Sequence, residues 1–123
     1  MSTSLESAVL NAQVTVKDEG GVEVVDRKVY QSMDQTDPIG VKETSILRTT
    51  IAQGDDVDLA FDGIAVGRML VVEASDKVRV TLNAGAEYIE ARVLILTHAN
   101  LTAVNIENQS GGPVSIFAAV VGE

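Results

Sequence analysis

The sequence contains no cysteine and no tryptophan, and aromatic residues make up only 3% of its 123 residues. The lack of cysteine excludes disulfides, thiolate metal sites and thiol nucleophiles. Hydrophobic residues make up 46% of the chain, which is enough for the core of one domain. Because so few of them are aromatic, this core must consist chiefly of Val, Ile, Leu and Ala, a composition that favours packed β-strands.

Basic residues are also scarce, since nine of them face 18 acidic residues and the formal net charge is -9. A nucleic-acid-binding protein normally presents a basic surface, because its affinity comes largely from contacts with phosphates. We therefore expect no nucleic-acid partner. The acidic surface fits either of two roles, solubility or the recognition of a basic partner.

Long apolar runs are missing as well. No stretch approaches the roughly 18 apolar residues of a membrane-spanning helix. Residues 1–6 lack the charged segment and the apolar run of a secretory signal. We expect neither a membrane partner nor secretion through such a signal.

The first dozen residues carry a pattern that predicts a short helix. Its apolar residues fall at helical spacing: Leu5, Ala8, Val9 and Ala12. Thr3 and Glu6 have the spacing of a capping box. A helix this short is marginal without a surface to lie on. Two interpretations stay open, a frayed terminus and an arm that docks on a neighbouring subunit.

Residues 13–31 predict a β-hairpin. Val14 and Val16 alternate with polar residues, and the segment 18–21 (Asp-Glu-Gly-Gly) has the composition of a turn. The apolar pattern resumes at Val22 and Val24, and the break in alternation at residues 24–26 indicates a bulge. Residues 32–40 have the composition of a loop.

From residue 41 onward, strand patterns recur with breaks every 8 to 12 residues, as in a sandwich or barrel. We count seven or eight strands, with a turn at Ser75 and Asp76 separating two of them. No helical pattern of ten or more residues interrupts the strands, which argues against a parallel sheet. The prediction is an all-β antiparallel β-sandwich, for which a jelly roll is one arrangement. It comprises an N-terminal arm and hairpin extension (1–40) and a sandwich body (41–123).

The last strand, residues 114–121, is almost continuously apolar. Such a strand is expected to be buried on both faces, within the sandwich or partly against another subunit. This pattern makes the chain a candidate homo-oligomer, for which two-fold dimers are the commonest form.

Polar residues that could carry chemistry lack the necessary arrangement. His98 is a single histidine, which cannot form a histidine-rich metal site. Glu87 and Glu90 lie three residues apart, so a strand would point them to opposite faces. The carboxylates Asp55, Asp56, Asp58 and Asp62 lack the ligand order of an EF-hand loop and fit a turn and an exposed strand face. We expect no enzyme activity and no catalytic, cofactor-binding or metal-binding residues.

Protein contacts are therefore the expected role. The candidate partner-contact residues are the apolar residues of the N-terminal region: Leu5, Val9, Ala12, Val14, Val16, Val22 and Val24.

Several segments between Gly63 and Gly122 carry a resemblance to a known class of protein. They are residues 69–83 (MLVVEASDKVRVTLN), 93–97 (VLILT), 101–108 (LTAVNIEN), the turn 110–112 (SGG) and the closing strand 116–122 (IFAAVVG). In this pattern the chain resembles small β-sandwich virion proteins of tailed bacteriophages. The resemblance covers about half of the chain, and residues 1–40 have no counterpart in it.

The resemblance implies a structural role and a location on the virion, after synthesis in the host cytoplasm. It favours a homotrimeric capsid decoration (cement) protein that binds the major capsid protein. A tail or baseplate component is one alternative, and a carbohydrate-binding host-adhesion domain is another, because jelly rolls are common in lectins. The small number of aromatic residues argues against the sugar-binding alternative.

Overall fold

A computed structural model describes residues 3–5, 7–34, 42–97 and 99–123. These residues form β-strands and turns, without a helix. The strands are β1 (Thr3–Ser4), β2 (Ser7–Lys17), β3 (Glu23–Asp34), β4 (Glu43–Ile51), β5 (Asp56–Asp58), β6 (Gly67–Leu82), β7 (Ile89–Leu96), β8 (Val104–Glu107) and β9 (Val114–Gly122). Neighbouring strands pair in antiparallel fashion. The prediction of an all-β antiparallel fold is confirmed.

Two sheets account for these strands. One follows the order β1-β4-β9-β6-β8-β5, with β7 also paired to β6, and the other is the hairpin of β2 and β3. The first half of β6 lies between β9 and β7, whereas its last four residues pair with β8. The larger sheet thus bends along β6 into a nearly closed, barrel-like sandwich, which we call the body sheet.

The predicted turn at Ser75 and Asp76 is wrong, because both residues lie within the strand β6. The chain stays extended from Gly67 to Leu82, and the ladder with β7 is irregular between Glu73 and Val78. An irregularity of this kind bends and twists a strand without ending it. Because one long strand replaces two, the described residues from 43 onward form six strands, fewer than the seven or eight predicted.

An aliphatic core fills the space inside the body sheet, as the composition indicates. On β6 and β9 alternate residues point inward, so Leu70 pairs with Val120 and Val72 with Ala118, all at most 1% exposed. Further inward residues of β6 and β9, together with residues of the other strands and loops, complete the core: Ile51, Leu59, Ile64, Ala74, Val78, Val80, Leu101, Val104, Ile106, Val114 and Ile116. This alternation leaves the remaining residues of β6 and β9 on the outer face of the sheet.

The predicted N-terminal helix is wrong. Leu5, Ala8, Val9 and Ala12 lie in or beside β-strands, with Thr3 in β1 and residues 7–17 in β2. Pairing with β3 along the whole of β2 satisfies the backbone groups that a short helix would have left poorly stabilised. The apolar residues of this segment also recur at every second position from Ala8 to Val16, which is the period of a strand.

The predicted hairpin is confirmed, and it is longer than residues 13–31. Its ladder runs from the pair of Ser7 with Asp34 to the pair of Lys17 with Glu23. Val16 pairs with Val25 and the next residue pairs with Glu23, so Val24 is left over as the bulged residue. The predicted bulge therefore lies where the alternation breaks.

Strand β9 occupies the middle of the body sheet, between β4 and β6. Its inward residues are buried, as predicted for an apolar strand. On the outer face Val121 is buried, whereas Phe117 and Ala119 are partly exposed. Burial on both faces is thus complete only at the end of the strand.

Asn108 organises the turn between β8 and β9. Its side chain is 0% exposed, and its Nδ2 donates to the carbonyl oxygens of Ile51 (2.8 Å) and Gly112 (2.6 Å). Its Oδ1 accepts from the backbone N of Ser110 (2.9 Å) and from the hydroxyl of the same residue (2.7 Å). One buried amide therefore joins this turn to the end of β4.

We expect Asn108→Ala to lower the free energy of unfolding by about 3 kcal/mol, because it leaves buried carbonyl groups without a donor. Asn108→Asp should be at least as destabilising, since a carboxylate cannot donate to those carbonyls. The measurement is urea unfolding. The control is Gln109→Ala at the neighbouring exposed position, which should stay within about 0.5 kcal/mol of the wild type. Equal stability of all four proteins would contradict the role of Asn108.

Candidate protein-interaction surface

The hairpin is shaped by its turn. The carboxylate of Asp18 accepts hydrogen bonds from the backbone N of Gly20 (2.9 Å) and of Val22 (3.0 Å). Gly21 has a φ of 81°, which side-chain-bearing residues rarely adopt. These local contacts fix where the chain reverses and thus set the register of β2 against β3.

The two faces of the hairpin differ in polarity. Residues paired across an antiparallel ladder point to the same side, so one face collects the even-numbered residues of β2 and their partners. We call its outer part the hairpin face: Ala12, Val14, Val16, Val25 and Val29. The opposite face is largely polar, with a 3.0 Å hydrogen bond from Gln13 to the carboxylate of Asp26.

The base of the hairpin packs on the outer face of the body sheet. Ala8 and Leu10, together with Leu5, contact the buried side chains of Met69 and Val121. Met69 pairs with Val121 across β6 and β9 and lies on the outer side of that ladder. The hairpin therefore sits on the sheet through the same side of β2 that carries the hairpin face.

Beyond Leu10 the valines of the hairpin face are exposed to solvent. Val14 is 53% exposed, and Val16, Val25 and Val29 are between 43% and 47% exposed. Burial of a valine side chain contributes about 1.5–3 kcal/mol, and a lone two-stranded hairpin is at best marginally stable in water. A face of this kind gains stability when another apolar surface covers it.

A second apolar area continues on the outer face of the body sheet, next to the contact made by the hairpin base. Across the strands β4, β9, β6 and β7, one row of paired residues is apolar throughout, and Val93 extends it on β7. We call this area the sheet patch: Ile46, Val71, Val93, Ile95 and Ala119. Ile46 is 51% and Val93 is 59% exposed. Contiguous exposed apolar residues are typical of protein-protein contact sites.

One charged residue lies beside each apolar area, and these two residues have opposite charges. Arg27 lies directly opposite Val14 on the hairpin side that carries the valines. Glu73 pairs with both Val93 and Phe117 and so lies on the outer face beside the sheet patch. Within the described residues neither side chain has an ion pair.

Arg48 marks the far border of the sheet patch. Its guanidinium lies 5.0 Å from the ring centre of Phe117, a distance typical of a cation–π contact. The patch is therefore apolar in its middle and charged at its border, as protein interfaces commonly are.

The predicted contact residues fall in four places. Ala12, Val14 and Val16 belong to the hairpin face. Val9 lies on the opposite face of β2, and Leu5 contacts the body. The other two residues lie near the hairpin tip: Val22 precedes β3 and Val24 is the bulged residue. The hairpin brings together about half of the predicted set.

Residues of both apolar areas were missed by sequence reasoning. Val25 and Val29 could have been found by extending the two-residue period of β2 to its partner strand. The sheet patch gives no such signal, because its residues come from four separate strands and meet only through the register of the sheet.

Among the described residues, the polar candidates make separate polar contacts. Asp56 and Asp58 share a strand face and both accept from the amide of Asn105, at 2.6 and 2.9 Å. Glu90 lies 3.2 Å from Lys77 in an exposed ion pair. Within the described ranges no three side chains of His, Cys, Asp or Glu are placed to hold a metal ion, and His98 lies outside these ranges.

Two shallow grooves interrupt the surface. One, of about 350 Å³, lies beside Tyr88, whose ring is covered by the guanidinium of Arg79 at 4.6 Å. The other, of about 390 Å³, lies between Glu73 and Arg92 near Phe117. The second groove borders the sheet patch and so belongs to the same outer face.

No helix in the described part of the chain has the length and apolar character needed to cross a membrane. Comparison with protein-family models finds no match, and comparison with curated proteins finds no significant similarity.

The hydrogen bonds of Asp18 predict that Asp18→Ala loosens the hairpin and leaves the body sheet unchanged. Amide hydrogen exchange in β2 and β3 should accelerate about tenfold, equivalent to a loss of about 1.4 kcal/mol, with no change in β6 and β9. Glu19→Ala, at the adjacent exposed turn position, is the matched control and should exchange like the wild type. Faster exchange throughout the body would contradict a local role.

Proposed function

We propose that this chain is a structural protein of a tailed-phage particle, most specifically a capsid decoration protein. It binds the major capsid protein and stabilises the shell as a homo-oligomer. The observation that carries the proposal is the pair of bare apolar areas, the hairpin face and the sheet patch, on a chain with a net charge of -9. An otherwise acidic and polar surface with such areas is suited to binding protein.

The resemblance of residues 63–122 to small virion proteins supports this function over other kinds of protein binding. The physics of decoration supports it too. A protein that contacts several shell subunits at once gains affinity through effective concentration, so each contact can be modest. A projecting hairpin on a rigid sheet is a suitable device for such bridging.

The body sheet also fits the mechanical task. Its core is aliphatic and its strands pair along their length, so a decorating subunit can be stable without disulfides. Further stability would come from oligomer contacts that cover the exposed valines.

The test is addition of the purified chain to undecorated capsids of the virus whose genome encodes it, followed by cryo-electron microscopy. We expect saturable binding, a fixed number of copies at equivalent positions on the shell and a higher temperature of shell disruption. The measurement counts the copies in the reconstruction and in the sedimented particles.

Failure to bind shells, combined with density for the chain in the tail of intact virions, would replace decoration by a tail or baseplate role. Specific binding on a glycan array without shell binding would replace it by host adhesion. A decoration protein should give no glycan hits.

A further inference from the structure

The side of β2 that carries the hairpin face already contacts the outer face of the body sheet within one chain, through its base. Ala8 and Leu10, on the side of β2 that carries the hairpin face, pack on Met69 and Val121. These two body residues form the next outward-facing pair of the β6–β9 ladder after Val71 and Ala119 of the sheet patch, two positions along it. The base of the hairpin thus contacts the body sheet, whereas the adjoining hairpin face and sheet patch are both exposed.

The two uncovered surfaces match in character and size. The hairpin face offers Ala12 and four valines in two rows, with Arg27 between Val25 and Val29, over five residues of β2. This is a length of about 17 Å at about 3.4 Å per residue. The sheet patch extends over four strands, or about 14 Å at about 4.8 Å between strands. Both surfaces are aliphatic. Their valines and isoleucines are between 38% and 59% exposed, except Val71, which is partly buried.

Their charges match as well. Arg27 is the charged residue among the valines on the apolar side of the hairpin, and Glu73 is the acidic residue beside Val93 on the outer sheet face. A hairpin laid on the sheet patch of another subunit brings this base and this acid into the same contact. Opposite charges fix register and suppress wrong pairings at an interface.

We infer that the hairpin face of one copy covers the sheet patch of a second copy, with Arg27 placed against Glu73. This inference deepens the proposed function and rests on its homo-oligomer, for which it names the contact. The exchange is head-to-tail: each copy gives its hairpin to one neighbour and receives a hairpin from another. Such contacts close into a ring when the rotation between copies allows it.

The association state of the purified chain tests the surface. We expect sedimentation velocity to show a single oligomer for the wild type and a monomer for the double variant Val16→Asp/Val25→Asp, which puts two carboxylates on the hairpin face. The control is Val9→Asp, an exposed valine on the opposite face of β2. It should associate like the wild type, and circular dichroism should show that all three proteins are folded.

Cross-linking tests which surfaces meet. The chain has no cysteine, so two single-cysteine chains can be mixed, Val25→Cys and Val93→Cys, one with a longer tag. A short bismaleimide should give the heterodimer of mixed mass. Val9→Cys in place of Val25→Cys should reduce its yield at least tenfold.

Charge reversal tests the register. Arg27→Glu and Glu73→Lys should each weaken association at least tenfold, and the double variant should recover most of it. A wild-type monomer, or cross-linking that is as efficient from Val9→Cys as from Val25→Cys, would overturn the inference.

These measurements use the chain without capsids and so separate the two proposals. Cross-linked oligomers support the exchange even when the chain ignores shells. A chain that decorates shells as a monomer overturns the exchange and the homo-oligomer of the proposed function, and leaves its decoration of the capsid standing.

Discussion

Strand β6 is the element on which both the core and the exposed surfaces depend. Its 16 residues pair with β9, β7 and β8, and its irregular stretch after Glu73 lets the sheet bend without a break in the chain. The alternation along its first half sends Leu70 and Val72 inward and Met69 and Val71 outward. A shift of one residue in this strand would exchange the two sets, so the burial of the core also specifies the outer apolar face.

Alternation of apolar and polar residues also gives the hairpin of β2 and β3 one apolar face and one largely polar face. An acidic chain can keep a valine-rich face in water because the reverse side of the ribbon is polar and the total apolar area is small. At the base of the hairpin, apolar side chains on the same side of β2 do pack against another apolar surface: Ala8 and Leu10 contact Met69 and Val121. In the proposed exchange, the contact with a second copy uses the same kind of apolar surface as this contact within one chain.

The sequence predicted those features that depend on neighbours along the chain. The turn at residues 18–21, the bulge at Val24 and the all-β class follow from local composition and period. The N-terminal segment was misassigned because its apolar spacing fits both a helix and a strand, and its strand partners lie 17 or more residues away in β3. The prediction of a turn at Ser75 and Asp76 is wrong because pairing with a distant strand again overrides local composition. Residues on both sides of this dipeptide pair with β7 and keep β6 extended.

The sheet patch lies beyond prediction from one sequence, because Ile46, Val71, Ile95 and Ala119 become neighbours only through the register of four strands. Three residues of the predicted contact set, Ala12, Val14 and Val16, share one hairpin face because they follow each other at the two-residue period of one strand. Local patterns therefore identify the apolar face of the hairpin and give no signal for the sheet patch.

The slight attachment of the hairpin to the body has a consequence for the order in which the molecule forms. The body sheet contains the main core, whereas β2 and β3 contact mainly each other and a small apolar anchor. In the proposed exchange, the final ordering of the hairpin depends on contact with a neighbouring copy, and so on protein concentration. Such a subunit would stay separate while dilute during synthesis and would become rigid where copies are gathered together.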